Sequence, residues 1–448
     1  MLNMTIFGVG AAGNKAAINL IENGIVAPEY IKLLNTSSKD IPEEYKNSDI
    51  FVAFSSGLGG CGKESSKGKA AIVNAMRKGT IDFGDLFNED SQEVVLVSSV
   101  EGGTGSGSVP QIAKFFIENN VPTHVFALIG FQDEARGINN TLKFFKELPD
   151  GVILHTINNG FFLDYTKNYS KAEQAANDEF ATEIEILRGS KLINSSQIID
   201  DADLLKINTA QPGYMTINHI NLAGIKNVSG FNQAIVESFD NSCYLESSNT
   251  CKLIAVIVNG GRRVKMSVDN SYEVIKRYTG MPQELFQHIQ PDNDEEYIND
   301  EYIDIIVAGM KYPEESILDM SNKYKKLKEQ MSAKRKSFDD IFADIDIDEM
   351  DDIDASTSIK SRLKSSKFNK DIFADIPEMA DEDDAAVEEN PATGYKNTKR
   401  ENAVSRVKEN PMSPPQEKSF KLKSGGNATG RLIGSSSTDS TSDDINNF

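Results

Sequence analysis

The chain has 448 residues and a formal net charge of −21, long enough for two domains plus a tail and too acidic to coat nucleic acid uniformly. No stretch approaches the roughly 18–20 apolar residues of a membrane span, and the N-terminus lacks the basic and apolar regions of a secretion signal. Cys61, Cys243 and Cys251 form no CxxC, and His124, His155, His219 and His288 are scattered; these patterns argue against a disulfide scaffold and zinc chemistry, and predict a cytoplasmic protein.

In chain order, Met4–Phe7 predicts a short strand that opens into Gly8-Val9-Gly10-Ala11-Ala12-Gly13-Asn14-Lys15, followed by the helical run Ala16–Ile21. Alone this is a dinucleotide fingerprint, GxGxxG between strand and helix. The next strand, Tyr30–Leu34, ends in Asn35-Thr36, where a nicotinamide-cofactor enzyme needs an acid for the ribose. A third strand-like run, Asp49–Phe54, leads into Gly57-Leu58-Gly59-Gly60-Cys61-Gly62-Lys63-Glu64. The spacing nearly matches a P-loop, but Glu64 stands where a Ser or Thr should hold magnesium, and a carboxylate there repels phosphate.

The fourth strand, Val94–Val97, runs into Glu101-Gly102-Gly103-Thr104-Gly105-Ser106-Gly107-Ser108, and a helix is predicted from Val109, with Pro110 in its first turn. Four glycines and three hydroxyls in eight residues make a phosphate nest at a helix N-terminus, with Thr104 and Ser106 as added donors. Three glycine loops, each closing a strand, are natural if they stand on one edge of a parallel sheet and converge on one nucleotide.

Gly102-Gly103-Thr104-Gly105-Ser106-Gly107 resembles the signature of the tubulin/FtsZ/TubZ superfamily, GTPases that polymerise head to tail. The usual pattern begins with one more glycine, and here that position is Glu101. The resemblance implies an α/β, tubulin/FtsZ-like fold: a Rossmann-type GTP-binding domain with a parallel sheet (1–170), a central helix and acidic loop (171–209), a second α/β domain with a terminal helix (210–336) and a disordered tail (337–448). It implies GTP or GDP as ligand, with Mg2+. Gly10, Ala11, Gly13 and Asn14 would then face the phosphates, Asn35 the phosphates and ribose, and Gly59 and Gly60 the γ-phosphate.

Further along, His124–Ile129 predicts a buried strand ending in Gly130–Gly137, where Glu134 and Arg136 resemble the family's ribose-contacting acid and its arginine. Gly151–Ile157 is the next strand. A side-chain amide at its end can read a guanine edge by donating and accepting together, and the resemblance points to Asn158. Lys171–Leu187 predicts a helix whose Ala-Ala-Asn-Asp start resembles the family's central helix, with Asn177 near the base. Asp200 and Asp203, three apart on one helical face, resemble the acidic loop that enters the neighbouring subunit's nucleotide pocket, where a carboxylate can orient the attacking water. The position before this pair, often Asn, is Ile198.

The second half, from about Pro212 to Pro313, predicts helices at Asn232–Ser238 and from Ser271, strands at Leu253–Val258 and Tyr302–Gly309, and a helix from Glu314 to about Lys336. From Ser337 the chain has too few large apolar residues to offset the entropy of ordering. Asp340–Ile345 is repeated without mismatch at Asp371–Ile376, as expected of a docking motif used twice. Residues 337–395 hold 18 acids against 5 Lys/Arg, and residues 396–432 hold 9 Lys/Arg against 3 acids; a basic arm after an acidic spacer suits DNA or a DNA-bound adaptor protein.

The expected activity is that of a filament-forming GTPase moving plasmid or phage DNA, as in the TubZ-like branch, with its own copies as first partner. Alternatives are an FtsZ-type division protein, a phage spindle-like tubulin, a P-loop ATPase using Lys63, and a Rossmann oxidoreductase using Gly8–Gly13. The last two leave Gly102–Gly107 without a role.

Overall fold

The architecture follows from eight largely apolar runs, each too short for a membrane and each closed by a turn. In the computed structural model, which describes residues 1–55, 59–190, 192, 199–209, 213–225, 227–246, 250–259, 262–289 and 301–333, ten strands form one sheet. They are β1 (Met4–Val9), β2 (Ile31–Asn35), β3 (Phe51–Ala53), β4 (Glu93–Ser99), β5 (Thr123–Ile129), β6 (Ile153–Asn158), β7 (Gly213–Asn221), β8 (Leu253–Asn259), β9 (Glu284–Ile289) and β10 (Tyr302–Met310). Their order is β3-β2-β1-β4-β5-β6-β7-β10-β8-β9.

From β3 to β7 every neighbouring pair is parallel, whereas β10 runs antiparallel to both β7 and β8. The central strands β1 and β4 to β6 read as near-continuous apolar runs because helices cover both faces of a parallel sheet. Val94, Val95, Leu96 and Val97 have no solvent exposure, and each such burial contributes about 1.5–3 kcal/mol. β6 and β7 register over only Ile153↔Gly213 and Leu154↔Tyr214. That narrow seam joins the two halves of the sheet.

Two helices matter most for the site. Gly10–Glu22 follows β1 without a loop, and Thr104–Glu118 carries Phe116, whose ring packs 5.6 Å from that of Phe7 on β1. A third, Tyr169–Leu187, has 19 residues and spans about 28 Å at 1.5 Å per residue. Apolar positions Ala172, Ala176, Phe180, Ile184 and Leu187 hold it against the core.

Several boundaries differ from expectation. The helix expected at Asn232–Ser238 covers Val228–Asp240, and the one expected from Ser271 covers Arg262–Thr279. The final helix is Glu314–Ala333. Gly57, Ile198, Pro212, Lys336 and the whole of 337–448, with the duplicated hexapeptide and the basic arm, lie outside the described residues.

Candidate functional site at the sheet's switch point

Strand order reverses between β1 and β4: β2 and β3 continue to one side, β5 and β6 to the other. Ligands of open α/β sheets sit outside the carboxyl ends of the strands at this reversal. Gly8 pairs with Val97, so the turns after Val9 and Ser99 stand next to each other there.

The glycine-rich stretch is less a loop than a helix start. The helix begins at Thr104, with Gly103 as its cap, and Pro110 lies well inside it rather than in the first turn. Packing explains this: a Cβ on Gly105 would overlap Ser98, and one on Gly107 would overlap the Ser65 carbonyl and Lys69 backbone of the neighbouring helix Ser65–Lys78. The hydroxyls also turn inward. Ser106 Oγ donates to the Gly102 carbonyl, and Thr104 Oγ1 lies 3.1 Å from Thr36 Oγ1 and 3.5 Å from Cys61 Sγ. Gly102 differs from its neighbours, because a Cβ there would meet nothing within 4 Å.

The first glycine turn behaves alike. Gly10 has φ +75° beside Gly105 and Thr104, and a Cβ on Gly13 would overlap the Val97 carbonyl, so Gly13 is needed for close helix–strand approach. Asn14 is buried, with Nδ2 donating to the Leu34 carbonyl at 3.2 Å and Oδ1 without a partner. Asn35 accepts from the Thr36 N–H at 2.9 Å, while its buried Nδ2 has none. Ala11 is exposed; on the third turn a Cβ on Gly60 would meet nothing within 4 Å, and one on Gly59 would lie 3.8 Å from Lys39 Nζ.

A cleft opens beside these turns, lined among others by Ala12, Lys15, Lys63, Glu101, Gly102, Phe131, Glu134, Asn159, Glu173 and Asn177. Its two lysines are both paired: Lys63 Nζ lies 2.6 Å from Glu134 Oε1, and Lys15 Nζ 3.7 Å from Glu173 Oε2. Arg136 turns away and donates to the Gly62 carbonyl at 3.4 Å. Asn158 does not line the cleft; its Oδ1 caps the helix Asn159–Thr166 by accepting from the Gly160 N–H at 2.9 Å. The neighbouring Asn159 lines it, with a buried Oδ1 that has no partner.

Asn140, buried in the helix Ala135–Glu147, was not foreseen from the sequence. Its Nδ2 donates to the carbonyls of Lys63 (2.9 Å), Glu101 (3.0 Å) and Gly102 (3.3 Å), tying the third turn to the signature. No local pattern marks such a residue, since its partners lie about 40 and 77 positions away.

Asp200 and Asp203 are elsewhere. Asp200 is the cap of the helix Asp201–Asn208, its Oδ1 accepting from the Asp203 N–H at 2.8 Å. Asp201 pairs with the Met1 ammonium at 2.7 Å, so this turn lies beyond the N-terminal end of β1. The cleft lies beyond its C-terminal end, about 20 Å away for a six-residue strand. Among the described residues no helix is long and apolar enough to cross a membrane, and all three cysteines are free and buried.

This is a doubly wound α/β protein with glycine turns gathered at the switch point. No family model matches the chain. It is 22% identical over 383 residues to the tubulin-like protein TubZ of Clostridium botulinum C phage, covering 83% of this chain and 97% of that protein. A GTPγS-form protofilament of Bacillus thuringiensis serovar israelensis TubZ superimposes with a TM-score of 0.60 at 17% identity, covering 75% of this chain and 95% of that one. FtsZ of M. jannaschii gives 0.53 at 16% identity over 69% and 88%. The fold is thus that of the tubulin/FtsZ/TubZ proteins, and the sequence is similar to a phage TubZ along nearly that protein's whole length.

Proposed function

We propose that the protein is a filament-forming GTPase that stacks head to tail and hydrolyses GTP where two copies meet. One observation carries this: the cleft and the Asp200–Asp203 turn lie at opposite ends of β1. They meet only when the base of one copy covers the cleft of another. The division at 170 and 209 then has a function, since the central helix runs from the cleft residues Glu173 and Asn177 towards that base.

The cleft suits a guanine nucleotide. Open space at Gly102 and the N-terminus of the Thr104–Glu118 helix favour phosphate. The orphaned amide atoms of Asn14, Asn35 and Asn159 call for partners that ligand or water supplies. Asn177 lies against the same space, and Lys63 can exchange Glu134 for a phosphate oxygen. Magnesium, when bound, would neutralise phosphate charge; among the described residues no three His, Cys, Asp or Glu groups stand together as a metal site. Asp200 and Asp203 of the next copy orient the attacking water.

Likeness to a phage TubZ along nearly its whole length supports a cytoplasmic role in moving plasmid or phage DNA, with the basic stretch 396–432 contacting a DNA-bound adaptor. GTP turnover at increasing protein concentration tests the mechanism. Turnover per molecule should rise steeply, and Asp200→Ala/Asp203→Ala should still scatter light with GTP while hydrolysis drops by about 10²-fold or more. Normal hydrolysis by the double variant, or by dilute monomer, overturns it.

A further inference from the structure

Glu101, the departure from the signature, is built into the site. Its carboxyl fills the space above Gly130 and Gly137: a Cβ on Gly130 would overlap it, and one on Gly137 would sit 3.1 Å from Oε2. Oε1 accepts from the Gln132 N–H at 3.0 Å, and Gln132 has φ +55°. The carboxyl therefore bridges the signature turn to the segment that carries Glu134 and Arg136. It also lines the cleft beside Gly102.

We infer that Glu101 is a positioning residue of the nucleotide site, holding the Gly130–Gly137 segment in place, and that nucleotide binding through it is coupled to uptake of one proton. The inference rests on the nucleotide reading above. Phosphates bring negative charge towards a carboxyl that already faces Asp133 and Glu134, with Lys63 as the cation acting on it. Lys63 is itself paired with Glu134, Arg136 is turned to Gly62, and Lys15 is paired with Glu173 across the cleft. Burial, then Asp133 and Glu134, already raise the Glu101 carboxyl above its ordinary range, against the Gln132 N–H and Lys63. An arriving polyanion raises it further, so the loaded site holds a proton that the empty site releases at higher pH.

Two measurements on the full chain test this. The first is GTP affinity from pH 4.5, the ordinary value of the carboxyl, up to pH 8.5 for wild type and Glu101→Gln. Wild-type affinity should fall with rising pH, approaching tenfold per unit between the carboxyl's empty and loaded pKa values. E101Q should lack that component and bind more tightly than wild type at pH 8.5; titration of GTP itself is common to both proteins and cancels. Parallel pH curves for the two overturn the proton coupling while leaving the nucleotide site intact. Absence of GTP binding in both overturns the nucleotide reading and this inference with it.

The second is thermal unfolding without nucleotide. Gly130→Ala alone should lower the midpoint by about 2–4 °C or more, whereas the same change in Glu101→Gly should cost less than half as much, because the vacated space accepts the methyl group. Equal losses in both backgrounds overturn the positioning role.

Discussion

His124 Nδ1 lies 3.0 Å from His155 Nε2, and neither ring is exposed to solvent. The pair sits in a buried row: His124 Nε2 is 3.4 Å from Glu93 Oε2, and His155 Nδ1 is 3.4 Å from Glu183 Oε2. Asn208 Nδ2 approaches the same Glu93 oxygen at 3.3 Å. Strands β4, β5 and β6, the central helix and the helix behind Asp200 each supply one group. Burial, with Glu179 adding in the same sense, lifts the Glu183 carboxyl well above its usual range. Burial, then His124, holds the His155 imidazole well below its own.

Stability should therefore decline on both sides of mildly acid pH. Glu183 keeps its proton when folded, so its contribution is complete below the unfolded value of about 4.5 and is lost as pH rises towards its folded value. His155 stays neutral when folded, so its contribution is complete above about 6.5 and is lost on acidification. Between those values the two effects oppose each other; at higher pH the loss comes from Glu183, with Glu179, also raised by burial, adding to it. Denaturant unfolding at pH 6.5 and 8.5 should show this fall in wild type and a smaller one in Glu183→Gln. An unchanged difference would remove Glu183 from the account.

Gly13 and Gly102 should separate packing from binding. Gly13→Ala drives a methyl into the Val97 carbonyl and should cost about 1–3 kcal/mol. Gly102→Ala meets no neighbour, so its melting temperature should hold while nucleotide affinity drops about tenfold or more. Calorimetric unfolding with nucleotide titration on both variants checks the contrast.

Asn140→Ala leaves three carbonyls without their shared donor, which should destabilise the fold by about 1–3 kcal/mol. Hydrogen exchange should accelerate together in 59–64 and 101–103. Acceleration in only one of the two segments would show that Asn140 does not couple them.

Asn158 and Asn159 are adjacent but differently engaged. Asn158→Ala removes a helix cap and should cost about 1 kcal/mol of stability, with preference for GTP over ATP retained. Asn159→Ala should do the reverse. Competition binding of the two nucleotides, read beside melting temperatures, distinguishes them.

The parallel half of the sheet was legible because its central strands are apolar on both faces and β1, β4 and β5 each end in a glycine turn. The tubulin/FtsZ/TubZ-like fold was legible from Gly102–Gly107. Which atoms face the cleft was not. Gly105, Ser106 and Gly107 have loop composition, yet contacts with Ser98, Gly102 and Ser65 make them helical, tertiary packing overriding propensity. β7 escaped because Thr216, Asn218 and His219 interrupt its apolar pattern, and Thr216 and Asn218 are nonetheless buried. Glu101 was visible as an anomaly, but its purpose required Gly130 and Gly137, some thirty residues away, to be seen underneath it.

The separation of cleft and acids along β1 also bears on how growth ends. The joint proposed above is heterologous, matching two unlike patches, so no twofold pairing would satisfy both. In the proposed head-to-tail stack, however short, one tip would expose the cleft face and the other the Asp200–Asp203 face. Polarity would then be set within the single subunit, and any factor that caps, severs or tows such a polymer could tell its two tips apart by chemistry alone.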